Sequence, residues 1–427
     1  MLTEYPRLGE KLDRRQLSNG LTVLVVPRPG FTRKSAYFVT DYGSVHTDFT
    51  LEGRTVHAPA GIAHFLEHKM FELEGRDVTA EFAALGAHVN AFTSYDVTAY
   101  YASCTENFPA CLRLLLEFVS TPWFPAESVE REMGIIDQEI GMNADSPDTR
   151  VFENLMGAMY GSFPIYTPIL GTSDTIRQIT PQLLTDCHRA FYTPANMVLC
   201  VVGDVDPEEV SRIALEVLGP QERPAGQKLP FGDEPAGCVM AEVTDTMEIA
   251  MTTFLLGFKC GHQGTGEEAV RRELIADLAC ELLFGESSPL YLQLYGEGLI
   301  DGSFGGGFEV AEREGMVICG GDSRDPRQIR RRILEQARIL CAEGIEKADF
   351  LRLKRSILGR RIRDLDSFDP TCFRLCAYHL DNFDYFRFPE ICEQVTEEEI
   401  LAFVNDTIRE DRCAISLVDP IHKEESQ

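Results

Sequence analysis

Basic residues are scarce in this chain. Forty Lys and Arg stand against 68 Asp and Glu, a formal net charge of −28 over 427 residues. Such a surface repels phosphate backbones, so nucleic acid is not an expected partner. Long hydrophobic runs are absent too. No stretch of 18 apolar residues occurs, and no membrane span is expected. Residues 1–7 carry no basic segment leading into an apolar one, nor the Arg- and Ser-rich, acid-poor look of a transit peptide. A cytoplasmic location is the expectation. The 13 cysteines include no C-x-x-C pair. An odd, scattered set without a secretory segment fits free thiols in a reducing compartment. Cys372 and Cys376, with His379 three residues on, read as buried thiols on a helix rather than a metal site.

What is present is an ordinary globular composition, 44% hydrophobic and 25% charged, long enough for about two domains. Within 16–26 the tight-turn pair Asn19-Gly20 is followed by a β-branched, apolar run that predicts a strand, and 35–42 reads as a second. Pro59 stands near the first turn of a helix over residues 64–68. A helix over 78–85 stops at Gly86, strands follow at 89–94 and 97–102, and helical periodicity returns at 110–119 and 126–140. Residues 219–237 hold four prolines and four glycines in nineteen positions and read as an extended linker. The expected domains are therefore 1–218 and 238–427.

The two halves read as distant copies. A strand at 36–42 precedes the residue-64 helix, and a strand at 249–258 precedes a helix at 267–284, whose residues 269–283 include no His. The ends Val201–Pro207 and Ile415–Pro420 also rhyme. The most basic stretch, 351–363, alternates with apolar residues and reads as the wet face of a helix. Gly305-Gly306-Gly307 lacks the G-K-[ST] ending of a phosphate loop and reads as a flexible strand.

The chemistry concentrates at His64-Phe65-Leu66-Glu67-His68. On a helix, His64 and His68 stack on one face, and Glu67 lies about 60° round from His64. Two imidazoles can share one Zn²⁺, and a carboxylate beside them can act as a general base. A catalytic zinc needs a third protein ligand. Glu132 and Glu139 are seven residues apart in a helical segment and share a face. One could bind metal while the other orients a ligand histidine.

Together these motifs resemble the insulinase/pitrilysin zinc peptidases, whose signature is this inverted H-x-x-E-H order, including the mitochondrial-processing-peptidase type. The resemblance spans nearly the whole chain. Its other matching pieces are Leu85-Gly86-Ala87-His88-Val89-Asn90-Ala91-Phe92-Thr93, Phe191-Tyr192-Thr193-Pro194-Ala195-Asn196-Met197, and Glu132 with Glu139, the latter 71 residues past His68. The resemblance implies an α+β fold of two homologous domains related by a pseudo-twofold, a clamshell around an acidic cavity. It implies Zn²⁺ held by His64, His68 and Glu139, Glu67 as general base, and Glu132 supporting a ligand histidine. It also implies an edge strand at Asn90, Ala91, Phe92 and Thr93 where a peptide substrate adds as an extra strand.

One departure matters. Family members that cleave alone carry an Arg and a Tyr in a stretch matching Leu294–Asp301, where this chain has Tyr295 and Asp301. In the family those groups hold substrate and stabilise an oxyanion. The resemblance therefore suggests the zinc-bearing subunit of a two-subunit peptidase, paired with an Arg/Tyr-bearing relative or else with itself. Local replacement by Tyr291, Tyr295 or Arg313 is the other account of the departure. A non-catalytic helper subunit is the competing class.

Overall fold

The run Thr22–Pro27 forms a strand, as its β-branched composition predicts, because both faces are covered and apolar side chains suit either one. The computed structural model describes residues 1–421. These residues form two compact units.

The first unit comprises 1–140, 168–230 and 361–387. Its sheet uses β1 (Leu2–Tyr5), β2 (Glu10–Gln16), β3 (Thr22–Pro27), β4 (Lys34–Thr40), β5 (His88–Thr93), β6 (Thr98–Cys104) and β7 (Met197–Gly203). The strand order is β1-β2-β3-β7-β4-β6-β5. Only β7 and β3 run parallel; the other neighbours are antiparallel. β7 is buried along its whole length at the sheet centre. β5 closes one edge, pairing with β6 in the register Thr93↔Thr98 to His88↔Ser103.

Against this sheet lies α1 (Ile62–Met70). It starts at Ile62, three residues after Pro59, and its N-cap Gly61 has φ 90°. A Cβ there would sit 2.4 Å from the Leu170 carbonyl oxygen, so glycine permits both the turn and the close approach. All of α1 except His68 is buried. Phe65, Leu66 and Met70 enter a core with Phe38, Phe82, Phe118 and Phe191. The second site helix, α2 (Ala126–Ala144), extends one turn beyond its expected end. Only Ser128, Val129 and Ile136 of its nineteen residues are buried.

The second unit comprises 141–167, 231–360 and 388–421. It contains α3 (Pro147–Met159), α4 (Gly266–Phe284) and α5 (Pro289–Gly296). Its strands are β8 (Glu242–Met247), β9 (Thr253–His262), β10 (Gly305–Ala311), β11 (Glu314–Asp322) and β12 (Cys413–Pro420). Their order is β8-β12-β9-β11-β10. β8 and β12 are parallel, and the other pairs antiparallel. This repeats β3-β7-β4-β6-β5 strand for strand, so the two halves carry the same topology. The glycine run 305–307 opens β10 as a strand. A Cβ at Gly306 would lie 2.4 Å from Cys319 Cβ on β11.

The copies exchange one helix each. α3, from the first half of the sequence, packs on β9 and β12. α6 (Phe368–Leu380), from the second half, packs on β4 and β7. The compact units therefore do not follow the sequence halves: 141–167 fold with the second unit and 361–387 with the first. The Pro/Gly-rich segment is also anchored. Gln227–Lys228 pairs with Asp48–Leu51, and the carbonyl of Ala190 accepts from Gly226 N at 2.7 Å. The helix Lys347–Asp364 exposes Leu351 and Ile362 along with its basic residues, so its apolar stripe is narrower than the alternation suggested. No helix among the described residues is long and apolar enough to cross a membrane.

Candidate metal centre and active site

Helix geometry brings His64 and His68 together as expected, with ring centroids 4.5 Å apart. α2 delivers Glu139 to the same point. Its Oε2 lies 3.9 Å from His64 Nε2 and 3.7 Å from His68 Nε2. Donor atoms of these three residues all lie within 4.8 Å of one another, the only such group of three or more among the described residues. Separations of 3.7–3.9 Å are too long for hydrogen bonds. They approach the ~3.3 Å edge of a tetrahedron with ~2.0 Å bonds. Two imidazoles and a carboxylate fit Zn²⁺ in donor chemistry as well as in spacing.

Glu132, two helical turns before Glu139, bonds the far side of His68: its Oε1 is 3.0 Å from Nδ1. With Nδ1–H donating to Glu132, the Nε2 lone pair is left facing Glu139. Burial opposes protonation of His68, but the Glu132 hydrogen bond and the charges of Glu67, Glu132 and Glu139 outweigh it and raise its pKa. His64 goes the other way. Burial, then the His68 charge, push its pKa down to about 3, so its imidazole is neutral and able to donate a lone pair. Its Nδ1 is buried without a hydrogen-bond partner.

Glu67 is buried, and burial pushes its carboxyl above the ordinary range. Thr93 Oγ1 donates to Glu67 Oε2 at 2.7 Å. Thr93 Oγ1 lies 3.5 Å from Thr98 Oγ1, which donates to the Tyr42 carbonyl at 2.9 Å. The carboxylate is thus tied to the β5–β6 pair beside the imidazoles. Asn90, Ala91, Phe92 and Thr93 lie on β5, which has one strand neighbour among the described residues and so an unpaired edge. Asn90 is exposed, and its Oδ1 accepts from Ala91 N at 2.9 Å. A cavity of about 940 Å³ opens beside the site, lined by Glu67, His68, Phe71, Asn90, Trp123 and Glu132 among others.

Sequence reasoning did not single out four residues next to this centre: Lys69, Glu72, Ser128 and Arg131. Lys69 is fully buried and bonds Glu72 and Ser128. The available signal was one Lys inside an apolar helix run.

In the second unit, α4 follows β9 as α1 follows β4, and it has no histidine. Tyr295, at the end of α5, is exposed and stacks with Tyr291 at 6.1 Å between centroids. Asp301 accepts from Ser303 N at 2.8 Å and Ser303 Oγ at 2.6 Å. Those bonds lower its pKa, so it carries negative charge at neutral pH. Arg313 lies in the β10–β11 turn at φ 73°. All 13 cysteines are free thiols, and Cys372 and Cys376 are buried on α6 with Sγ atoms directed to backbone carbonyls.

This fold and this constellation define a class. The chain belongs to the insulinase family, peptidase family M16. Residues 56–173 match the family described as "Insulinase (Peptidase family M16)", and 178–357 match "Peptidase M16 inactive domain". Among relatives, the Bacillus subtilis protein named "Uncharacterized zinc protease YmfH" is 35% identical over 98% of this chain and 98% of its own. An M16-like peptidase from Alicyclobacillus acidocaldarius has a solved structure with TM-score 0.93 and 33% identity, covering 98% of this chain and 100% of that one. A Helicobacter pylori protease shares the fold at TM-score 0.83 and 20% identity, covering 96% and 100%.

Proposed function

We propose that this chain is a zinc-dependent endopeptidase acting on peptides or unstructured segments, with its metal and base in the first unit. The observation that carries this reading is the convergence of His64, His68 and Glu139 donors within 4.8 Å, with Glu67 on the same helix. His64, His68 and Glu139 hold the ion. Zn²⁺ there supplies Lewis acidity, lowering the pKa of a water and polarising a carbonyl oxygen. Glu67 takes the water's proton and passes it to the leaving amine. Glu132 fixes the tautomer and plane of His68. The open edge of β5 at Asn90–Thr93 takes the substrate backbone as an added strand.

The oxyanion donors come from a related partner subunit that carries Arg and Tyr. Supporting this is the anionic Asp301 and exposed Tyr295 in the stretch where the family places those groups. A carboxylate there repels an oxyanion, and a lost donor costs ~10²–10³ in rate. The same observation, with the match of 178–357 to an "inactive domain" family, favours one second reading: a non-catalytic helper subunit. Zinc content and peptidase activity of wild-type, Glu67→Gln and Glu139→Gln proteins test the proposal. The expected result is zinc without activity in Glu67→Gln, and weakened zinc in Glu139→Gln.

A further inference from the structure

Lys69, buried against the first turn of α2, forms an ion pair with the half-buried Glu72, next to the metal centre but outside its ligand set. Lys69 is 0% exposed. Its Nζ bonds Glu72 Oε2 and Ser128 Oγ, and Ser128 Oγ bonds the same Glu72 oxygen. Arg131 closes the cluster, donating to Glu72 Oε1 at 2.7 Å and to Ser128 Oγ at 3.1 Å.

Core packing alone does not call for this arrangement. The neighbours of Lys69 on α1 that enter the core are Phe65, Leu66 and Met70, and a methionine at 69 would fill the space without desolvating a charge. What an ammonium adds is direction: it must point at fixed acceptors. Here the acceptors join two elements. Lys69 adjoins His68 on α1. Ser128 lies one turn before Glu132 and eleven residues, ~16 Å, before Glu139 on α2. The other core contacts of α2 are apolar and set no direction: Val129 and Ile136 are buried and Met133 and Ile140 pack against the core, which leaves Ser128 as the buried polar residue of the helix. A small slip or tilt at Ser128 therefore displaces Glu132 and Glu139 from the histidines.

We propose that Lys69 is a positioning residue for the metal centre: through Glu72 and Ser128 it clamps the end of α1 to the start of α2, setting where α2 presents Glu132 and Glu139. The inference rests on the reading of His64, His68 and Glu139 as zinc ligands. Lys69→Met keeps the volume and removes the clamp. Ser128→Ala keeps the Lys69–Glu72 pair and removes one of its two links to α2, leaving the one through Arg131.

The test is competition for Zn²⁺ between each full-length protein and a chromophoric chelator, beside thermal melts of the zinc-free proteins. Lys69→Met is expected to bind Zn²⁺ 10- to 100-fold more weakly, as for loss of an outer-sphere support. Ser128→Ala is expected to weaken binding in the same direction by less. A lower melting temperature with unchanged Zn²⁺ affinity in Lys69→Met would make the cluster merely structural and overturn the proposal. Should Lys69→Met fail to fold, Ser128→Ala combined with Arg131→Gln, which removes both links to α2, decides it, and wild-type affinity there overturns it. The ligand assignment is checked separately: if wild type and His64→Ala bind Zn²⁺ alike, that reading falls, whatever Lys69 does.

Discussion

Thr93 Oγ1 donates a 2.7 Å hydrogen bond to Oε2 of Glu67, tying a residue of the open-edged strand β5 to the buried carboxylate of α1. The family resemblance implies that Thr93 lies among the residues that take the substrate backbone. Its side chain has a second task, holding the proposed base in one orientation. Thr93→Val keeps the shape and removes the donor. The expected outcome is about a tenfold fall in kcat, in line with ~1.4 kcal/mol per factor of ten, with KM and zinc content unchanged. Steady-state kinetics on an unstructured peptide check it. A raised KM with wild-type kcat would assign Thr93 to substrate binding alone.

Glu132 bonds His68 Nδ1 at 3.0 Å and lies on the far side of the ring from Glu139. Glu132→Gln keeps an acceptor but loses the charge that favours the Nδ1–H tautomer. Zinc affinity is expected to fall within the 10- to 100-fold range of outer-sphere changes. Glu139→Gln, altering a proposed ligand, should lower it further. Chelator competition ranks the two, and the reverse order would exchange their assignments.

Much of this centre was legible because its geometry is local. His64, Glu67 and His68 are fixed by helical periodicity within five residues, and the structure keeps that arrangement. Glu139 is 71 residues from His68. Many acids satisfy a loose spacing rule, so choosing it depended on resemblance to a family. Lys69 and Ser128 meet only through the packing of α1 on α2, which no periodicity encodes. The fold shows the same division. Strands β3, β4, β5 and β6 form where the sequence predicts strands, and the common topology of the halves was visible as a weak rhyme. The exchange of α3 and α6 was not visible. Each is an ordinary amphipathic helix, and which sheet it covers is set by tertiary contacts far along the chain.

Buried His188 makes a pH prediction independent of the metal. Its Nε2 lies 3.0 Å from the Val119 carbonyl, and burial pushes its pKa down to about 4 from 6.5. A depressed histidine pKa means the unfolded chain binds the proton first. This contribution to stability is complete above pH 6.5 and is lost as pH falls toward 4, at up to about 1.4 kcal/mol per pH unit. Denaturant titrations of His188→Gln should show a shallower loss across that window than wild type. Equal slopes would count against the assignment.

The partner hypothesis predicts weak peptidase activity from the purified chain. Mixing it with an Arg/Tyr-bearing relative should raise the rate by ~10²–10³, the worth of oxyanion donors. Full activity alone, unaffected by mixing, would instead assign those donors to this chain.

The most direct test of the central claim pairs metal analysis with peptide cleavage for wild type and Glu67→Gln, each assayed with the Arg/Tyr-bearing partner. The account predicts about one zinc per chain in both proteins, cleavage by wild type, and its loss in Glu67→Gln. Undiminished cleavage by Glu67→Gln, or wild type that cleaves without binding zinc, would contradict it.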